Sequence, residues 1–291
     1  MIGVDAANLV FVYSRKIRCY KWTMDQYLQY FWLIPLAFFA GAYGTLIGAG
    51  GGFVLAPALL LLYPNETPEI ITSISLTVVF FNALSGTVAY ARSKRIDYRS
   101  GMKFAAATMP GAVVGALATT AISRARFNLL FGGLLLLIGL FLGVSPGRKT
   151  AVQMGQVPDN SAIIFGRSKG ALLFGLVMST GFGFISSFLG IGGGFLYVPA
   201  LVYLLHFPIH TATATSLFVL TITSLTGLAT HIAADLYQHG VRRAFMLSIG
   251  AILGAQVGAK LSQHIHGDWI IRGLALALGL VGIRLIVSSL W

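Results

Sequence analysis

Gly48-Ala49-Gly50-Gly51-Gly52-Phe53-Val54-Leu55-Ala56-Pro57-Ala58-Leu59 lies inside an uncharged run from Gln26 to Asn65, and the same pattern returns as Gly190-Ile191-Gly192-Gly193-Gly194-Phe195-Leu196-Tyr197-Val198-Pro199-Ala200-Leu201. The copies stand 142 positions apart (Gly48 to Gly190). At an offset of 141, Ser75-Leu76 matches Ser216-Leu217, and Leu84 with Gly86 matches Leu225 with Gly227. Further on, Gly111-Ala112 and Gly115-Ala116 match Gly250-Ala251 and Gly254-Ala255. Order and spacing persist across three segments, so the chain reads as an internal duplication.

The surroundings of the motif set the solvent. Of 291 residues, 56% are hydrophobic and 10% charged, far below the roughly 25% charge of soluble domains. Charge is also absent from 70–91, 104–123, 127–147 and 170–234. A membrane-crossing helix needs about 20 mostly apolar residues, and each run is long enough for one. The net charge of +12 does not point to nucleic acid. Basic residues gather between apolar runs, at Arg15 to Lys21, Arg92 to Lys103, Arg148-Lys149 and Arg167 to Lys169, as cytoplasmic loops do. Cys19 is the only cysteine, which excludes an intramolecular disulfide and a thiolate metal cluster.

The fold class is therefore all-α: a polytopic membrane bundle of two tandem repeats, each with a glycine-broken helix and a short half-helix, about eight to ten membrane segments in all. Residues 1–30 form a cytoplasmic or interfacial lead-in, 31–144 the first membrane repeat, 145–169 a polar linker and 170–291 the second repeat. Expected helices are 31–48, 70–91, 104–122 and 127–144, then 170–189, 211–233, 244–262 and 270–288. The short segments 53–63 and 195–205 would span about 16 Å at 1.5 Å per residue, half a bilayer core. If they are re-entrant, each half crosses an even number of times and the repeats are parallel. If they cross fully, the repeats are inverted. The basic loops at 92–103 and 145–169, facing the acidic Glu66 and Glu69 loop, favour the even count.

A triple glycine inside a membrane helix is costly, by roughly 1 kcal/mol per glycine against alanine. Unwound backbone survives at membrane depth only where protein or a watery cavity satisfies it. The half-helices beginning at Phe53 and Phe195 would turn free N–H groups and the positive ends of their dipoles toward the breaks. Such a terminus receives an anion without a charged side chain. The candidate binding residues are Gly50, Gly51, Gly52 and Phe53 with Gly192, Gly193, Gly194 and Phe195. Pro57 and Pro199 would act as hinges that aim the half-helices. Close packing of small residues is the competing explanation of the same glycines. A dinucleotide-binding reading fails, because Gly48-x-Gly50-x-x-Phe53 lacks its third glycine and the acidic residue about twenty positions on.

Thr72, Ser75, Asn82 and Ser85 fall on one helical face, and their matches are Thr213, Ser216, Thr223 and Thr226. Ser75, Asn82, Ser216 and Thr223 are candidate pocket residues, with hydrogen bonding between helices as the alternative role. His231 and Asp235, one turn apart, are the candidate pair for proton coupling. The chain carries no metal-ligand spacing and no intramembrane carboxylate pair, so neither enzymatic activity nor a cofactor is expected.

Gly-Ala-Gly-Gly-Gly-Phe with a proline four beyond, repeated as Gly-Ile-Gly-Gly-Gly-Phe, resembles the TauE/SafE family of sulfite and organosulfonate permeases. Ala214-Thr215-Ser216-Leu217 with Gly227 ten beyond is similar to that family as well. The resemblance implies a multi-pass anion permease of the cytoplasmic membrane, with sulfite, thiosulfate, sulfoacetate or a related sulfur oxyanion as substrate. The expected partners are that small anion and the lipid bilayer; homo-oligomerisation is left open. Alternating access by rocking of one repeat on the other is the expected mechanism. A passive anion channel and a non-transporting membrane protein are the alternatives.

Overall fold

A computed structural model describes residues 30–144, 169–203, 207–237, 240–262 and 279–287. The expected lead-in before residue 30, the linker interior and the predicted helical residues 270–278 lie outside the described residues. All regular structure described is helical: α1 (Leu33–Ile47), α2 (Gly52–Leu62), α3 (Pro68–Arg92), α4 (Tyr98–Ala118), α5 (Arg124–Val144), α6 (Lys169–Leu189), α7 (Gly194–Tyr203), α8 (Ile209–Ala233) and α9 (Val241–Leu261), with a 3-10 turn at Thr119–Ala121 and a helical stretch at 279–287. Among the described residues, four helices are long and apolar enough to cross a membrane: Pro68–Arg92, Tyr98–Ala121, Ile209–Ala233 and Val241–Leu261. Phe39, Leu137, Leu140 and Leu253 stand exposed, apolar side chains on an outer surface that lipid, not water, would wet.

Helix boundaries follow local chemistry more than the limits of the uncharged runs. α4 starts at Tyr98, six residues before the predicted 104, because Asp97 caps it by accepting from the backbone N–H of Arg99 (3.0 Å) and Ser100 (3.2 Å). Arg99 and Lys103 sit in its first turns, where long basic side chains reach toward the membrane surface.

The glycine breaks fold the chain back on itself. Gly48, Gly50 and Gly51 hold φ of 83°, 78° and 72°, left-handed values that a Cβ resists. The N–H groups of Ala49 and Gly50 both donate to the Gly44 carbonyl, at 2.7 and 3.1 Å. Gly51 then lies against Ala40 and Gly41, and the Phe53 ring lies 6.0 Å from Tyr43. α1 and α2 are thus two arms of one hairpin, and α1, with 15 residues, does not complete a crossing of its own. Gly190 and Gly192 (φ 66° and 76°) turn α6 into α7 at the matching place.

Neighbouring residues give the helix directions. On α9, Gly250, Gly254 and Gly258 meet Ile34, Phe38 and Ala42 of α1 in ascending order, so the two helices are parallel. On α4, Gly111 and Gly115 meet Thr180 and Phe184 of α6, which is parallel too. By contrast, Gly86 of α3 meets Leu217 of α8 while Gly227 of α8 meets Leu76 of α3, so these central helices are antiparallel. The segments matched in sequence therefore run in opposite directions. This corrects the expected even count and parallel arrangement: the hairpin α1–α2 returns to the face it started from, and three helices, α3, α4 and α5, follow it in the first half. Tyr30 and Glu66 accordingly share one face, opposite the loop 93–97.

The contacts also revise one pairing. Gly183 lies against Thr108 as Gly41 lies against Ala251, and Gly111 meets Thr180 and Phe184 as Gly254 meets Phe38 and Ala42. Gly111 thus corresponds to Gly254, one turn beyond the Gly250 that sequence pairing selects. Repeating small residues every fourth position makes such a slip invisible in the sequence.

The two most extensive helix contacts join the halves: α1 packs on α9, and α6 on α4. Each then leans on a central helix, α9 on α3 and α4 on α8. The result is one bundle of α1, α3 and α9 and a second of α4, α6 and α8, meeting along α3 and α8. The sequence halves are therefore not the packing units.

A candidate anion site at the paired glycine breaks

Val79 and Leu220 are each the twelfth residue of a 25-residue helix, and both glycine breaks converge on them. A Cβ at Gly50 would strike Leu220, and one at Gly192 would strike Val79. Gly52 at the start of α2 abuts the Ile191 carbonyl, while Gly194 at the start of α7 abuts the Gly48 carbonyl and Ala49. Each half-helix thus begins against the backbone of the other break. Gly50, Gly51, Gly52, Gly192, Gly193 and Gly194 are all buried.

Two serines tie this crossing together. Ser75 Oγ donates to the Gly190 carbonyl at 2.5 Å, and Ser216 Oγ donates to Gly48 at 3.0 Å and less closely to Gly194 at 3.4 Å. Each central helix therefore holds the break of the opposite half. The hydroxyl protons go to carbonyls, which leaves backbone N–H groups as the donors at the breaks. Several of these are used: Ala49 and Gly50 N–H bond the Gly44 carbonyl, and Gly193 N–H donates to Ser186 Oγ at 2.7 Å.

The remaining predicted residues sit further out. Asn82 is buried and donates from Nδ2 to Thr45 Oγ1 at 3.1 Å, its Oδ1 having no partner. Thr223 pairs with Thr108 at 2.8 Å, linking α8 to α4. Ser85 and Gln256 bond α3 to α9. Much of the polar stripe thus bonds between helices, whereas Thr72 and Thr226 donate back to the Glu69 and Ile222 carbonyls of their own helices. Phe53 is buried, Phe195 only partly so, and Pro57 and Pro199 lie inside α2 and α7.

His231 is eleven residues from Leu220, about 16 Å along the helix. It is fully buried, and its Nδ1 shares a 2.6 Å hydrogen bond with Ser73 Oγ. Asp235 is exposed, just past the helix end. The structure thus buries one member of the pair suggested by spacing and exposes the other. Ser73, Thr45 and Ser186 were missed in the sequence, as was Ser187, which lies against Gly227 of α8 with its Oγ buried and without a hydrogen-bond partner. For Thr45 and Ser187 a signal existed, because both are small polar residues at the same repeat offset, one turn before a break.

Paired re-entrant hairpins meeting at mid-height of two antiparallel helices define a membrane transporter architecture. Residues 33–285 match the family described as sulfite exporter TauE/SafE, and the chain belongs to that family. It is similar to the probable membrane transporter protein YunE of Bacillus subtilis, with 32% identity over 89% of this chain and 98% of that one. A probable membrane transporter protein of Methanocaldococcus jannaschii, MJ0441, is 26% identical over 88% of this chain and 94% of its own length. No solved structure matches the chain.

Proposed function

We propose that this protein is a secondary permease for a small oxyanion of the sulfite, thiosulfate or organosulfonate class, carried between the two glycine breaks. The observation that supports this reading most is the convergence of the α2 and α7 N-termini on one buried point between α3 and α8. Val54 and Leu196 N–H already donate to the Gly51 and Gly193 carbonyls, at 3.1 and 3.0 Å, but the N–H groups before them in each first turn have no intrahelical acceptor, and the positive end of the dipole lies there. An anion held by such groups needs no intramembrane lysine or arginine, whose burial in lipid is costly.

Alternating access then follows from the opposed directions of the halves: a conformation taken by one hairpin on one face is available to the other hairpin on the opposite face. The bodies that move are the bundles α1–α3–α9 and α4–α6–α8. Rocking the sequence halves against each other would tear both of the most extensive helix contacts. The name of the matched family points to sulfite and to export; for this chain both belong to the proposal.

Flux of radiolabelled sulfite, thiosulfate and a sulfonate into proteoliposomes, with and without a pH gradient, tests it. Gradient-driven accumulation of one anion is the expected result. Flux that only follows the anion's own gradient would identify a passive channel, and no flux of any of the three would remove the substrate class.

A further inference from the structure

Tyr63 and Glu66, in the turn between α2 and α3, draw two arginines from distant parts of the chain. Arg124, the first residue of α5, donates from Nη2 to the carbonyls of Leu60 (3.0 Å) and Tyr63 (3.2 Å). Arg243, in the first turn of α9, places its guanidinium 4.5 Å over the Tyr63 ring and forms an ion pair with Glu66. Glu66 acts electrostatically on Arg124 as well. Both guanidinium groups retain a buried Nη1 without a hydrogen-bond partner.

That arrangement holds more positive charge than its carboxylate answers. Both arginines sit at helix N-termini, where the helix dipole disfavours a cation and favours an anion, and no acidic residue occupies the first turn of either α5 or α9. Buried N–H donors left unpaired on charged groups cost more than neutral ones. Planar guanidinium forks with spare donors are suited to oxyanions.

We propose that Tyr63, Glu66, Arg124 and Arg243 form a second anion site, at the face opposite the 93–97 loop, in which Glu66 is the internal carboxylate that an incoming oxyanion displaces. Its ligand is a free sulfate-like oxyanion or the same chemistry borne on an anionic lipid headgroup. The site rests on the proposed permease function only for its ligand class, and it is tested by binding, not by transport.

Sodium sulfate is titrated calorimetrically into the full chain in dodecyl maltoside, alongside melting in nanodiscs of phosphatidylglycerol and of phosphatidylcholine. Glu66→Gln removes the competing carboxylate and is expected to tighten sulfate binding at least threefold. Arg124→Lys and Arg243→Lys keep the charge but lose the fork, and are expected to weaken it about tenfold, with size-exclusion profiles unchanged. The same ranking of variants for phosphatidylglycerol stabilisation, without sulfate binding, would assign the site to a lipid headgroup. A Glu66→Gln protein that binds neither ligand more tightly, or arginine variants that bind as the native chain does, would overturn the site. If sulfate binds with this ranking while no anion is transported, the permease reading fails and the site stands.

Discussion

Ser75 and Gly190, 115 positions apart, are joined by a 2.5 Å hydrogen bond from the Ser75 hydroxyl to the Gly190 carbonyl, and Ser216 makes the corresponding bond to Gly48. These bonds satisfy backbone freed where the helices unwind, in a region where water is not at hand to do so.

Removing either hydroxyl leaves a buried carbonyl without its partner, at a cost of about 1–3 kcal/mol. Ser75→Ala and Ser216→Ala should each lower the melting temperature in detergent, and Ser75→Thr should recover part of the loss. Equal melting of Ser75→Ala and the native protein would remove the bracing role.

Gly51 and Gly193 match in sequence but not in sensitivity. A Cβ at Gly51 would sit 2.8 Å from the Ala40 carbonyl oxygen on backbone with φ of 72°. At Gly193 the nearest atom would be 3.2 Å away, and no left-handed φ is required. Gly51→Ala should cost several kcal/mol, combining about 1–2 for the left-handed conformation with the overlap, whereas Gly193→Ala should fold and stay within about 1 kcal/mol of the native chain. Thermal melting of both variants decides it. Bulkier Gly51→Leu and Gly193→Leu should abolish flux while membrane insertion persists.

Because the α1–α2 hairpin returns to its starting face, the chain before α1 should lie on the same side as Asn65 and opposite Ser93. A membrane-impermeant thiol reagent should label native Cys19 and Asn65→Cys from one side, and Ser93→Cys from the other, the last two in a Cys19→Ser background. Labelling of Cys19 together with Ser93→Cys would restore the even count.

His231 reaches Ser73 from within the bundle while Asp235 faces outward, so the two should separate functionally. Under the proposed proton coupling, His231→Gln should flatten the dependence of flux on pH. Asp235→Asn should leave that dependence within about twofold of native, since surface charges contribute little. Matching pH profiles for His231→Gln and the native chain would exclude His231 as the coupling group.

Much of this was legible in the residues themselves. Uncharged runs of membrane length fix a helical bundle, because lipid admits no unpaired backbone. The recurrence of Gly-x-Gly-Gly-Gly-Phe located both breaks and, through Ser75 and Ser216, the residues that hold them. Direction was not legible. Whether α1 crosses or turns back depends on contacts of Gly51 with Ala40 and Gly44, which hydropathy does not record. Nor could spacing show that Gly111 corresponds to Gly254, since glycines repeat at each turn.

The sequence by itself determined the solvent, the helices and the two glycine turns, because these depend on local composition and on the conformational freedom of glycine. Only the tertiary structure decided which partners those elements take. It placed α1 on α9 and α6 on α4, set Val79 and Leu220 between the breaks, and gathered Arg124, Arg243 and Glu66 around Tyr63. Such pairings depend on close approach between residues 61 or more positions apart, and nothing within either segment specifies its partner.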